Sequence, residues 1–101
     1  MDELYTGSAN YNDYEIPDIS EYDFLVVYAG PGTFANTSII IPVSNIRYVR
    51  GGQFALGIFQ SSSVFWELEF CFPDATTFNI ANYKNQTWTA PSIQKMCGIK
   101  L

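Results

Sequence analysis

One segment in the second half of the chain most strongly limits what the sequence can fold into, because large apolar residues recur in it at every second position. Its apolar residues are Trp66, Leu68, Phe70 and Phe72, and its charged residues are Glu67 and Glu69. Successive side chains of a β-strand point to opposite faces. The spacing therefore predicts a half-buried antiparallel strand over Ser62–Phe72, with Trp66 in the core and the glutamates facing outward.

The remaining apolar residues follow the same period or form short blocks, and turn-forming residues interrupt them about every ten positions. No segment keeps helical spacing over three turns. The predicted strands are Glu3–Ser8, Glu21–Ala29, Ser38–Val43, Asn45–Arg50, Gln53–Gln60, Ser62–Phe72, Thr76–Ala81 and Ser92–Leu101. This pattern predicts an all-β fold of about eight strands, an antiparallel β-sandwich of jelly-roll type, as a single domain over residues 1–101.

The composition of individual segments also predicts their positions within the sheets. Glu21–Ala29 is continuously apolar, as in a central strand covered on both faces, and Gly30-Pro31-Gly32 is expected to end it. Pro42 places the isoleucine-rich segment at a sheet edge or strand end. The last segment alternates Ile93, Cys97, Ile99 and Leu101 against Gln94 and Lys100, which predicts a terminal strand inserted in a sheet.

The composition favours a protein that binds or assembles. Apolar types make up 48% of the residues and charged types only 15%, against about 25% charged in a typical soluble domain. A small domain has much surface for its volume, so some apolar surface is expected to remain for a partner to cover. The sequence therefore favours a homo-oligomer.

The charge pattern excludes some partners. The formal net charge is −5, and the five basic residues form no patch, which argues against nucleic acid. No Lys or Arg precedes Arg47, and the acidic first part of the chain is interpreted as a solvated stretch and not as a cation site. No secretory signal opens the sequence and no apolar run is long enough to span a bilayer, so no membrane insertion is expected.

The sequence lacks the residues of common catalytic and metal sites. There is no histidine, which removes Ser-His, Cys-His and common zinc arrangements, and no cofactor or metal is expected. Cys71 and Cys97 are predicted to be buried free thiols, with a disulfide between them as the alternative. Glu67 and Glu69 are the one candidate carboxylate pair, about 7 Å apart on a strand. We interpret them as a solvated face, so the chain is not expected to be an enzyme.

Several residues near predicted loops are candidates for binding. Trp88 lies among loop-forming residues with Tyr83 nearby, and this aromatic pair could stack on a sugar ring or a partner side chain. The alternative is that Trp88 closes the end of the sandwich or lies at a subunit contact. Tyr48 and Arg50, before the Gly51-Gly52 turn, and Asp74, after Pro73, are polar groups that could complete a saccharide site.

Three segments carry a resemblance to a known family. Leu4–Ser8 (LYTGS) resembles an opening strand of the form L-[WY]-x-G-S, and Ile19–Val27 (ISEYDFLVV) follows it at the usual interval. Ile93–Leu101 (IQKMCGIKL) resembles a closing strand of the form I-x-K-I-x-G-I-K. In this order they resemble the small β-sandwich domains that end tail fibre, minor structural and receptor-binding proteins of phages and prophages of Gram-positive hosts.

The resemblance implies a homotrimer in the tail of a virion, in contact with other tail proteins, with host cell-surface carbohydrate as the candidate ligand. It implies no catalytic residue. The alternative function is a purely structural virion or prophage component, such as a decoration or tail-tip protein. The sequence leaves open whether the chain is an excised domain or a separately encoded protein. In the closing motif, Gly98 is expected to let a backbone or a bulky ring approach closely.

Overall fold

The computed structural model describes residues 1–101 and consists almost entirely of strands. In chain order they are β1 (Asp2–Ala9), β2 (Asn12–Glu15), β3 (Phe24–Pro31), β4 (Thr37–Pro42), β5 (Phe54–Ser61), β6 (Val64–Asp74), β7 (Thr77–Gln86) and β8 (Pro91–Ile99). One turn of 3₁₀ helix, Val43–Asn45, follows β4. No helix is long and apolar enough to cross a membrane.

The strands form two antiparallel sheets of four. The order is β1-β8-β3-β4 in the first sheet and β2-β7-β6-β5 in the second, which confirms the predicted eight-stranded antiparallel β-sandwich. The first two strands pair with the last two, β1 with β8 and β2 with β7, one pair in each sheet, as in a jelly roll. Between them, β3-β4 and β5-β6-β7 follow one another as hairpins within a sheet.

The core lies between the two sheets and is built largely from alternate residues of the inner strands. Trp66 is only 1% exposed, and the alternating apolar residues that follow it in β6 are fully buried. Glu67 faces outward and is exposed. The alternation predicted for this strand is confirmed. The fully or nearly fully buried core side chains include Leu25, Val27, Ile41, Trp66, Leu68, Phe70, Phe72, Phe78, Ile93 and Met96.

The strand β8 is inserted between β1 and β3, as predicted, but its side-chain phase differs from the prediction. Tyr28 and Ala29 of β3 pair with Lys95 and Ile93, so Gln94 is an extra residue that forms a bulge. The bulge shifts the alternation, so that Ile93 and Met96 face the core. Cys97 instead pairs with Val26 on the outer face. The prediction that Ile93 and Cys97 share a face is therefore wrong.

The buried amide of Gln94 explains why the bulge forms at this residue. Its Nε2 donates hydrogen bonds to the carbonyl oxygens of Gly30 (3.3 Å) and Gly32 (3.0 Å) and to the hydroxyl of Ser92 (3.2 Å). These acceptors hold the turn after β3. The strand runs through Pro31 and thus ends within Gly30-Pro31-Gly32, as expected. A buried amide needs such partners, because leaving it unpaired would cost about 1–3 kcal/mol.

The segment between β4 and β5 is not the strand that was predicted for Asn45–Arg50. The structure has the 3₁₀ turn there, followed by irregular backbone to Gln53. Pro42 ends the edge strand β4, as expected, and Gly51 adopts a positive φ of 128°. The loop runs along the outer face of the second sheet, where Gly52 lies so close to Glu69 that a Cβ would meet the carboxylate at 2.6 Å.

The strand directions place the connections at two ends of the sandwich. One end holds the connections β3-β4 (residues 32–36), β5-β6 (residues 62–63) and β7-β8 (residues 87–90), and we call these three connections the Trp88 end. The opposite end holds the connections β2-β3, β4-β5 and β6-β7. The seventh connection, β1-β2 (residues 10–11), lies on the side of the Trp88 end, since it runs from Ala9, which pairs with Ile93, to Asn12, which pairs with Ile80. Both chain termini also lie at that opposite end, since Asp2 pairs with Gly98 near the end of β8.

Candidate binding surfaces

The five residues predicted for a ligand site fall at two separate places. Trp88 and Tyr83 lie at or near the Trp88 end, while Tyr48, Arg50 and Asp74 lie near the opposite end. The strand β6 runs between the two ends, and its eleven residues span roughly 33 Å at about 3.3 Å per residue. The structure therefore does not bring the five residues into one site.

The guanidinium of Arg50 is bound within the chain. Its Nη1 and Nη2 each donate a hydrogen bond of 2.9 Å to the two carboxylate oxygens of Asp13 on β2. The amide of Asn79 donates a third, of 2.7 Å, to the same carboxylate. These donors stabilise the ionised form and lower the pKa of Asp13 to about 2. Arg50 thus fastens the β4-β5 loop to the second sheet, and a ligand would have to displace Asp13 to reach it.

Asp74 and Tyr48 do not complete a pocket around Arg50. The carboxylate of Asp74 accepts hydrogen bonds from the backbone N–H (2.9 Å) and the hydroxyl (3.1 Å) of Thr76, which close the β6-β7 turn. The backbone hydrogen bond from Thr76 is the main cause that lowers the pKa of Asp74. Partial burial, with a smaller effect of the nearby Asp18, raises the pKa of Tyr48. Asp74 therefore has a structural role that does not depend on a ligand.

Trp88 lies at the rim of the sandwich, where the chain crosses from one sheet to the other. Its side chain is half-buried and packs against the core at this end of the sandwich. The crossing is held on both sides, since the hydroxyl of Thr87 donates to the carbonyl of Ser63 (2.5 Å) and Gly32 N–H donates to the carbonyl of Ala90 (2.8 Å). The three connections of the Trp88 end therefore form one continuous surface.

The Trp88 end carries no charged residue in any of its three connections. Phe34 projects from it with 69% of its surface exposed, and Tyr83, three residues before the end of β7, is 37% exposed. The other exposed side chains of the connections are Ala35 and five hydroxyls, at Thr33, Ser62, Ser63, Thr87 and Thr89. Phe34 was not among the candidate residues predicted from the sequence, although a lone aromatic residue in a predicted turn between two strands is a signal that could have identified it.

A second feature is a groove of about 430 Å³ on the β5-β6 hairpin. Its floor is low at Ala55 and Gly57 because alanine has a small side chain and glycine has none. The rings of Phe59 and Phe65, with centroids 5.9 Å apart, form one wall. Phe59 is 72% exposed. Phe59 was not among the candidate residues predicted from the sequence either. The signal that could have identified it is its position in the strand. Phe59 is odd-numbered and the inward-facing Leu56 is even-numbered, so their side chains point to opposite faces of the sheet.

A third feature is the outer face of the first sheet, which is apolar along its middle. Cys97, Val26 and Ile40 form one row across β8, β3 and β4, and Ile40 is 62% exposed. Phe24 and Ile99 stand beside this row. Cys97 points away from the core here, and Cys71 does the same on the other sheet. Both are free thiols, and opposite outer faces are too far apart for the disulfide that was left open.

The three segments that carry the resemblance lie side by side. They include β1, β3 and β8, which are neighbours in the first sheet. The glycine of the closing motif lies under a ring, as expected, since a Cβ on Gly98 would come within 2.6 Å of the ring of Tyr22. The Tyr22 hydroxyl donates a 2.7 Å hydrogen bond to Asp2, which raises the pKa of Tyr22 to about 12. The motifs thus describe one packed unit of the fold.

No protein-family model matches the chain, and no curated protein matches it either.

Proposed function

We propose that this protein is a receptor-binding domain of a phage tail, which assembles as a homotrimer and binds a neutral saccharide of the host surface at the Trp88 end. The proposal rests on three properties of this end. Its three connections join into one surface, contain no charged residue and lie opposite both chain termini. Attachment to other tail proteins near either terminus would leave this surface pointing outward.

The chemistry of the Trp88 end suits a sugar without charge. The exposed rings of Phe34 and Tyr83 offer flat apolar faces with little conformational entropy to lose, against which the C–H face of a pyranose can pack. The surrounding hydroxyl groups can donate and accept hydrogen bonds with sugar hydroxyls. An anionic polymer would find no positive charge in the three connections, so we expect neutral polysaccharide to be preferred.

The outer face of the first sheet supports the assembly part of the proposal. Its row of Cys97, Val26 and Ile40 crosses β8 and β3, two of the three strands that carry the resemblance, and reaches the edge strand β4. Contact between copies through this face would cover the exposed part of Ile40 and leave the Trp88 end free. Light scattering on the purified protein tests the assembly, and a mass of three chains or a multiple of three, which Ile40→Lys reduces, is the expected result.

Binding is tested with protein-free cell walls from a panel of Gram-positive bacteria, by sedimentation of the protein with the walls. Wild type should sediment with at least one wall type, and Phe34→Ser and Tyr83→Ala should each lower the bound fraction. Tyr48→Ala is the matched control, because it removes an exposed tyrosine from the opposite end. If Tyr48→Ala weakens binding and the other two variants do not, the proposed surface is wrong.

The purely structural function remains the second candidate, because the groove on β5-β6 is the one pocket in the structure and the Trp88 end has none. A surface without a cavity suits contact with another protein as well as with an extended polysaccharide. If no wall type binds the protein while it stays attached to purified virions, the structural function is correct.

A further inference from the structure

The four edge strands of the sandwich differ in how well they are protected from pairing with another strand. On one side, β1 carries Asp2 and Glu3 and has two register shifts, and β2 has only four residues, two of them acidic. On the other side, β4 has six residues and ends at Pro42. Charge, bulges, short length and proline are the usual means of preventing edge-to-edge pairing.

The edge strand β5 has little of this protection. Its eight residues, Phe54–Ser61 (FALGIFQS), include no charged residue and no proline. It pairs with β6 on one side only, and its other edge has no strand partner. None of the eleven backbone hydrogen bonds outside the regular elements involves this strand. A row of backbone N–H and C=O groups is therefore free to pair with a strand from another molecule.

We propose that two copies of this chain pair through β5, antiparallel and around a twofold axis at Gly57, so that their second sheets join into one sheet of eight strands. The occupant of the edge is a second copy because the strand is complementary to itself. In a twofold interface the same residues must meet on both copies. Around Gly57, this places Ala55 opposite the partner's Phe59 and Leu56 opposite the partner's Ile58.

The groove on the β5-β6 hairpin provides the fit. Phe59 is a projecting ring, 72% exposed, and the low floor at Ala55 and Gly57 lies two to four positions before it on the same strand face. Each copy's Phe59 would enter the groove of the other copy, so one interface would contain two such contacts. Gly57 has to remain glycine, since a Cβ there would lie 2.5 Å from the carbonyl oxygen of Trp66. The strand itself carries no charge, so no like charges face each other directly across the axis, and the charged side chain that lines the groove is Glu67, beside Gly57.

This pairing uses a surface that the proposed function does not use, because saccharide binding is placed at the Trp88 end and the threefold contact on the first sheet. The two proposals therefore predict different numbers of chains. The twofold pairing alone gives a dimer, and together with the threefold contact it gives a hexamer. A trimer would support the proposed function and overturn the β5 pairing, and a monomer would overturn both forms of self-association.

The test is sedimentation-velocity ultracentrifugation of the full chain and its variants over a range of concentrations. Wild type should contain an even number of chains. Phe59→Glu and Ala55→Lys should each raise the dissociation constant of the twofold contact by at least about tenfold. Phe59→Glu brings a negative charge into the groove that Glu67 of the other copy lines, and Ala55→Lys places a charge against the partner's Phe59. The double variant Ala55→Lys/Phe59→Glu should restore pairing, because each Lys then faces a Glu of the other copy. Circular dichroism should show all three variants folded, since both positions are exposed.

The control is Ile40→Lys, which places the same charge on an exposed residue of the other uncharged edge strand. It should leave the twofold contact intact, reducing a hexamer to a dimer at most. The pairing is overturned if Ile40→Lys separates the twofold dimer while Ala55→Lys leaves it whole. It is also overturned if the double variant remains as dissociated as the two single variants, since the register around Gly57 would then be wrong.

Discussion

The two tryptophans of the chain have different surroundings, and their replacement should separate them. Trp66 is 1% exposed in the core, whereas Trp88 is half-buried at the rim. Trp66→Ala should lower the free energy of unfolding by about 3–5 kcal/mol, because it leaves a large cavity. Trp88→Ala should cost less and leave a folded domain, since its site is open to solvent. Urea denaturation measures both, and equal losses would show that Trp88 belongs to the core.

The packing of Tyr22 on Gly98 gives a second prediction at this scale. In Gly98→Ala the new methyl group would lie 2.6–2.8 Å from three ring carbons of Tyr22, and the ring cannot move without losing its hydrogen bond to Asp2. We expect a loss of about 1–3 kcal/mol in the free energy of unfolding, as for other overpacked sites. In the control, Gly7→Ala, the closest atom is the tip of the Tyr5 side chain, which can move, so the loss should be smaller. Thermal melts that rank the two variants the other way would contradict this packing.

At the scale of single elements, the contact between Asp13 and Arg50 fastens the β4-β5 loop to β2, and it should depend on pH. The pKa of Asp13 is lowered to about 2 in the folded protein by the hydrogen bonds from Arg50 and Asn79. The contact therefore stabilises the folded state above about pH 4, the ordinary pKa of an aspartate, and this stabilisation is lost as the pH falls towards about 2.

The comparison that isolates this effect is urea denaturation of wild type and Asp13→Asn between pH 7 and pH 2. The difference between their midpoints should be largest at neutral pH and should shrink through the acidic range. Both partners are exposed, so the difference should be modest. A difference that stays constant over the whole range would show that the carboxylate charge of Asp13 does not contribute.

The elements also show which local patterns are sufficient for prediction. The alternation in β6 identified the strand and its core face, because each apolar residue is matched by an outward residue. The same reasoning failed in β8, where the bulge at Gln94 shifts the phase by one residue. It failed again before Gln53, since the contact of Arg50 with Asp13 holds that segment as a loop. Both failures come from side chains whose partners are distant in the sequence.

At the scale of the whole molecule, the fold class followed from the sequence but the arrangement of the candidate site did not. Strand periodicity is local, so the sandwich and seven of its eight strands could be predicted, whereas the short β2 was missed and the strand predicted for Asn45–Arg50 is a loop. The predicted site combined Trp88 with Arg50 because both lie near loops, but the direction of β6 separates those loops by the length of the sandwich. The uncharged character of the Trp88 end appears only when three connections from distant parts of the chain are placed together.

The central claim is that this uncharged end binds saccharide, and an NMR titration tests it most directly. Amide resonances of the labelled protein would be followed while neutral polysaccharide fragments from a wall type that sediments the protein are added. The account predicts shifts concentrated in residues 32–36, 62–63 and 87–90 and in Tyr83, with none in the loop around Tyr48 and Arg50. Shifts confined to that loop, or to β5, with the Trp88 end unchanged, would contradict it.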